Sequence, residues 1–290
     1  MELNKDFYLE EERCGFTVSA EMKKVWAVEL DLLTQFQRVC KEHNLRYFAS
    51  GGTLIGAIRH KGFIPWDDDI DLMMLREDYD KLLQIAPTAF EAPYFFQSVD
   101  TDKRYSRGHA QLRHSNTTAL LHNEGKCFPF NQGIFIDIFP ADEAADDPKL
   151  LQKQRATIRL YERLLNAGVR YPGNPRKNFV KNCAHALVSL LPYRWVYRQK
   201  EKAACRYNGT GQSRIGLLTF MADDDRLLFP KAGFDEVLTV PFEEGEIDIP
   251  AGYDEILRVQ YGDYMVMKKE NSYHGTITFD TERSYLDYLK

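Results

Sequence analysis

Two carboxylates one residue apart, Asp69 and Asp71, stand at the head of an apolar run, Leu72-Met73-Met74-Leu75. In an extended strand side chains alternate between faces, so Asp69 and Asp71 project together while Ile70 and Leu72 turn towards a core. Carboxylates this close repel and raise each other's pKa unless a cation lies between them. A hard cation, Mg2+ or in its place Mn2+, takes such oxygens together with substrate phosphates and water. The pattern points to a divalent cation serving phosphoryl chemistry. A solvated acidic turn is the bland alternative, but unneutralised carboxylates in an apolar strand are costly. A calcium loop fails, because the sixth position counted from Asp67 is Leu72 rather than Gly.

Asp137, in the alternating stretch Gly133-Ile-Phe-Ile-Asp-Ile-Phe139, is a third acid on a face different from its Ile neighbours. It can complete a metal site with Asp69 and Asp71 or accept a proton from an attacking hydroxyl; the plain alternative is an Asp at a strand edge. Gly51-Gly52, with Thr53 opening a helix, offers unpaired N–H groups on which a phosphate can rest. It is not a Walker loop, since Ala57-Ile58 follows Gly56 where Lys-Ser/Thr is required. Arg59 and Arg113 are the cations expected to neutralise a diphosphate, with His60 and Lys61 as weaker candidates. Trp66, beside the acids, is the aromatic face expected to meet a quaternary ammonium head group, although most aromatics are core. The expected site is therefore Asp69, Asp71 and Asp137 for metal and catalysis, with Gly51, Gly52, Thr53, Arg59, Arg113 and Trp66 against the substrate.

The elements that must position these residues follow from periodicity. Residues 19–43 read as an amphipathic helix capped by Ser19, and Arg46–Ala49 as a short strand. A helix over Thr53–Arg59, a strand over Asp69–Met74 and a helix over Arg76–Ile85 come next. His109–Leu121 and Gly133–Phe139 read as strands, and Asp142–Pro148 as an acidic linker. Residues 149–208 are helical in pattern; short strands, turns and a last helix close the chain. The reading is an α+β fold, a small mixed sheet flanked by helices. It divides into a catalytic core over 1–145, a helical insertion over 146–210, and a part over 211–290 that completes the catalytic domain.

Composition limits the class. The 290 residues are 44% hydrophobic, 28% charged and 13% aromatic, enough for a sizeable core. A net charge of -5 argues against a nucleic-acid partner. Five dispersed cysteines without a C-x-x-C pair suit reduced thiols. The charged start MELNKDFYLEEER has no apolar stretch, so neither a signal peptide nor a membrane span is expected, and the expected location is cytoplasmic. The basic residues of 176–206, interleaved with Phe179, Leu187, Leu190, Leu191 and Trp195, allow peripheral contact with an anionic inner membrane face, or an ordinary packed helical pair.

The stretch from Gly51 to Asp71, GGTLIGAIRHKGFIPWDDDID, resembles the signature of the LicD family, which includes the fukutin-type transferases. The GIFIDIFP stretch and Tyr261-Gly262-Asp263-Tyr264-Met265 match further landmarks in order, so the resemblance spans about residues 20–275. It implies a nucleotidyltransferase-like fold in which Gly51, Gly52, Asp69, Asp71 and Asp137 fill the turn and carboxylate positions. It also implies transfer of phosphocholine, or a related phospho-alcohol, from a CDP-alcohol to a sugar hydroxyl of a cell-surface glycan precursor. CDP-choline is the favoured donor, a glycan or lipid-linked oligosaccharide of lipopolysaccharide or teichoic acid the acceptor, and CMP the product. The chain departs from the family after Met265, where Val266-Met267-Lys268-Lys269-Glu270 replaces a Leu-Pro-Pro-like run; His274 stands where a late histidine is expected and is given no role. Rival readings are a D-x-D glycosyltransferase using a sugar nucleotide, a nucleotidyltransferase releasing pyrophosphate, and a non-catalytic glycan-binding scaffold.

Overall fold

The computed structural model describes residues 3–102, 105, 107–121, 130–167, 190–268 and 277–289. The chain opens with a ribbon, β1 (Glu11–Arg13) and β2 (Phe16–Val18), and runs into α1 (Ala20–Glu42). Ser19 caps α1, its Oγ accepting the Met22 N–H at 3.2 Å. The helical spacing of Val25, Trp26, Leu32, Leu33, Phe36 and Val39 buries one face. Then come β3 (Phe48–Ala49), α2 (Gly51–Arg59), β4 (Asp71–Leu75) and α3 (Arg76–Ala89). The strand expected from Asp69 begins at Asp71, with Ile70 leading in: its carbonyl accepts the Asp137 N–H at 2.9 Å.

After β5 (Tyr94–Gln97), the segment expected as one strand from His109 to Leu121 is two, β6 (Ala110–His114) and β7 (Thr118–Leu121). The Thr117 N–H donates to the His114 carbonyl at 3.1 Å and closes a turn between them. β8 (Ile134–Ala144) is longer than its apolar part suggests. The expected acidic linker is a correction: Asp142 to Ala144 are the end of β8, and Asp142 is fully buried. Arg76 grips it with two hydrogen bonds, Nε to Oδ1 at 2.8 Å and Nη2 to Oδ2 at 2.7 Å, which neutralises a residue that otherwise belongs in water.

The chain continues through α4 (Pro148–Ala167), α5 (Tyr193–Ala204), β9 (Arg214–Gly216), α6 (Leu218–Met221), β10 (Leu228–Pro230), β11 (Val237–Phe242), β12 (Gly245–Pro250), α7 (Tyr253–Tyr261) and β13 (Ile277–Asp280). Among the described residues, seven strands form one mixed sheet. β8 is its spine: β4 pairs parallel along one edge, and antiparallel β6 and β9 share the other, extended by β5 and β10. β3 flanks β4, while β11–β12 and β7–β13 form separate two-stranded ribbons. The main apolar cluster joins α1, α2 and the sheet, and a second, around Ala144, Leu151, Ile158, Ala204 and Leu218, seats α4 and α5 on the far end of β8. The architecture is α+β. No helix among the described residues is long and apolar enough to cross a membrane. His274, and Arg176, Lys177, Phe179, Lys181 and Leu187 of the basic segment, lie outside the described residues. Lys200, expected among the surface charges of that segment, is instead buried 3.6 Å from Glu162.

Candidate active site

Strand register assembles the first part of the site. β4 sets Asp71 opposite Asp137 on β8, β6 sets Gln111 opposite Asp137, and β5 sets Gln97 opposite Gln111. Opposite residues share a face, so one polar row crosses four strands. Asp71 is half-buried; Asp137, Gln111 and Gln97 are buried. The Gln111 amide donates to Asp137 Oδ1 at 2.5 Å, and His109 Nε2 lies 3.2 Å from the same oxygen.

Arg113 explains why Gln111 points that way. Its Nη2 donates to Gln111 Oε1 at 2.6 Å, so the Gln111 carbonyl is committed and its NH2 turns to Asp137. The rest of the guanidinium donates to Gln97 Oε1 at 2.5 Å and the Gly133 carbonyl at 2.6 Å, above the Phe135 ring. The expectation that Arg113 meets a diphosphate is therefore corrected. It is wholly enclosed and acts on Asp137 through Gln111.

The α2 start supplies the second part. Thr53, expected against substrate, is buried, and its Oγ1 accepts the Asp71 N–H at 2.8 Å; Ser50 N–H donates to the Asp71 carbonyl at 2.9 Å. Both contacts fix the β4 backbone. A Cβ on Gly51 (φ +55) would lie 2.9 Å from Asp71 Oδ2, and one on Gly52 only 2.5 Å from Asp67 Oδ2. The two glycines let carboxylates approach the helix N-terminus, whose dipole favours negative charge.

Asp67, Asp68 and Asp69 form the third part: each offers a ligand atom within 4.8 Å of the others. This differs from the expected trio, in that Asp69 groups with its preceding neighbours while Asp71 and Asp137 pair across strands beside it. The Trp26 indole N–H on α1 donates to the Asp67 carbonyl at 3.1 Å and pins the run to that helix. One turn further along α1, Glu29 is buried. Burial, then the negative fields of Asp69, Asp68, Asp67 and Asp137, push its carboxyl well above the usual range.

Arg59 and Trp66 are the remaining expected residues. Arg59 ends α2, about 12 Å along the helix from Gly51 at 1.5 Å per residue, donating to the Tyr264 carbonyl at 2.7 Å and to His60 Nε2 at 2.8 Å. Burial lowers the Arg59 pKa, and burial followed by Arg59 and Arg13 lowers that of His60 to about 4. Trp66 is half-buried, edge-on to Phe16 at 6.0 Å. Glu243, clasped by Arg13 and accepting the Phe63 N–H at 3.0 Å, holds the loop between α2 and the acids. The Tyr261 hydroxyl, 3.7 Å from a Cβ at Gly51, brings the end of α7 to the same place. Sequence reasoning did not single out Glu29, His109, Gln111 or Tyr261 as site residues. Gln111 shares face parity with Arg113 and Tyr261 lies in a noted motif; Glu29 and His109 carry no local signal.

Residues 44–155 match the family model described as LicD/FKTN/FKRP, nucleotidyltransferase domain. The lipopolysaccharide cholinephosphotransferase LicD of Haemophilus influenzae is 30% identical over 251 residues, covering 83% of this chain and 90% of that protein. The chain belongs to the LicD family. The core, carrying Gly51, Asp69, Asp71 and Asp137, is thus nucleotidyltransferase-like, within a family of phosphotransferases. An uncharacterized Rickettsia prowazekii protein, RP689, is 33% identical over 38% of this chain and 39% of its own. The human ribitol 5-phosphate transferase FKRP is 43% identical over 47 residues, 16% of this chain and 10% of FKRP.

Proposed function

We propose that this LicD-family enzyme transfers phosphocholine, or a related phospho-alcohol, from a CDP-alcohol to a sugar hydroxyl of a cell-surface glycan precursor. The observation carrying the reading is the convergence of Asp67–Asp69, the Asp71–Asp137 pair and the α2 N-terminus, in a chain similar over most of its length to a lipopolysaccharide cholinephosphotransferase. CDP-choline is the favoured donor, and a glycan or lipid-linked oligosaccharide the acceptor. An all-carboxylate donor set suits a hard ion, Mg2+ or Mn2+, and Asp67, Asp68 and Asp69 with Asp71 would hold it. When bound, it would neutralise charge developing on the donor's diphosphate.

The residues of the chain do the rest. Asp137, its Oδ1 set by Gln111 and His109, receives the acceptor hydroxyl's proton. The hydroxyl oxygen forms a bond to the phosphorus bearing the alcohol, and the bond from that phosphorus to CMP breaks, CMP leaving as the phosphate anion. Positioning and charge neutralisation supply most of the acceleration. Trp66, backed by Phe16, is the face proposed for the donor head group. Leu190, Leu191 and Trp195 are exposed next to Arg194 and Arg198, and support peripheral contact with an anionic membrane.

The test is incubation with CDP-choline, CDP-ribitol and CDP-glycerol in Mg2+, with and without sugar acceptors. CMP release that depends on an acceptor is the expected result; release of UDP or GDP from sugar nucleotides instead would replace the proposal by glycosyl transfer. Asp69→Asn and Asp71→Asn should each lower turnover by at least ~100-fold with an unchanged circular dichroism spectrum. Near-normal turnover in both would remove these carboxylates from the reaction.

A further inference from the structure

Among the described residues, Glu29 is the acid of this neighbourhood that comes from a helix rather than from the sheet or its loops. It lies in the middle of α1, one turn beyond Trp26, whose indole is hydrogen-bonded to the Asp67 backbone. That turn of α1 therefore lies against the Asp67–Asp69 run. Glu29 is 1% exposed, and its Oε2 has no hydrogen-bond partner among the described residues. Buried carboxyl oxygens are normally satisfied, and leaving one without a partner costs a few kcal/mol by general experience. The side chain is also repelled by Asp69, Asp68, Asp67 and Asp137 together. A Leu or Met there would fill the same volume without either cost. A cation held by the Asp67–Asp69 group would offer the orphaned oxygen a partner and offset the repulsion.

We propose that Glu29 is a further ligand of the divalent cation site, closing from the α1 side the carboxylate group that Asp67, Asp68 and Asp69 open to solvent. The inference rests on the cation reading given under the proposed function. Glu29 fixes the site's inner wall to α1, so that cation binding ties that helix to the acidic loop and to the β4–β8 pair.

The test uses the full chain and no donor. Mn2+ binding is followed by the loss of the free-ion electron paramagnetic resonance signal, and thermal melting is recorded with and without Mn2+. Wild type should bind Mn2+ and melt higher in its presence. Glu29→Gln, nearly isosteric, should bind at least ~10-fold more weakly, lose the Mn2+-induced rise, and melt without metal at or above the wild-type temperature. Glu29→Asp, which keeps a shortened carboxylate, should fall between the two. No Mn2+ binding by wild type would overturn the cation reading itself. Wild-type binding with equal affinity in Glu29→Gln, or in Glu29→Asp should the Gln variant not fold, would overturn only the role of Glu29.

Discussion

Gly52 sets how closely the α2 N-terminus meets the acidic loop. Its backbone is ordinary for an L-residue, so only space forbids a side chain: a methyl would land 2.5 Å from Asp67 Oδ2. Gly52→Ala should retain or gain stability, since Ala exceeds Gly in helix propensity by up to ~1 kcal/mol. Turnover should nevertheless fall by roughly 100-fold, the cost of a small displacement in a positioned site. Thermal melting and CMP release measure the two together; unchanged turnover would show that the place of Asp67 is immaterial. At this scale Asp71 at the head of β4 and the Gly-Gly turn were legible from local spacing, whereas Asp69 lies ahead of the strand and groups with Asp67 and Asp68. Glu29 was not legible, because in α1 it reads as one more charge on an amphipathic helix, and its burial exists only once α1 has docked. Arg113 was read as a cation and placed correctly on a strand, but its enclosure by Gln97, Gln111 and Gly133 depends on three other segments.

β8 shows what an element hides. Its apolar half, Ile134–Phe139, alternates as a strand should, and its acidic half reads as a linker although both are one continuous strand. The reason is Arg76 at the start of α3: a charge paired across the structure looks solvated when viewed alone. Asp142→Asn should therefore cost up to about 3 kcal/mol, because Arg76 loses its bidentate partner and keeps only the longer contacts to Glu201 at 3.4 Å and Asp80 at 3.5 Å. The double variant Arg76→Met with Asp142→Leu should recover most of that loss. Urea denaturation of the three proteins measures it; a loss below about 1 kcal/mol in the single variant would mean that the pair behaves as a surface bridge. Helix α1, by contrast, was legible almost to its ends, since its Ser19 cap and apolar stripe are both local.

For the whole molecule, the overall net charge of -5 conceals a local patch. Trp195 is 49% exposed and Leu190 80%, beside Arg194 and Arg198, while Lys200 faces inward. Arg198 already meets Asp100 and Glu201, which limits how much charge the patch can offer. Co-sedimentation with anionic vesicles should be weak, salt-sensitive and reduced by Trp195→Ala; binding indifferent to salt and to that change would leave the patch as ordinary surface. The α+β class was legible from the alternation of strand and helix signals, but the sharing of β8 between two half-sheets was not, since pairing partners far apart in sequence leave no periodic trace.

Parallel pairing of β4 with β8 also fixes when the site can come into existence. Parallel neighbours cannot be joined by a tight turn, and here α3, β5, β6 and β7 all intervene between them. Asp71 meets Asp137 only when that long excursion closes, so their pairing carries the loop-closure entropy of the whole intervening segment.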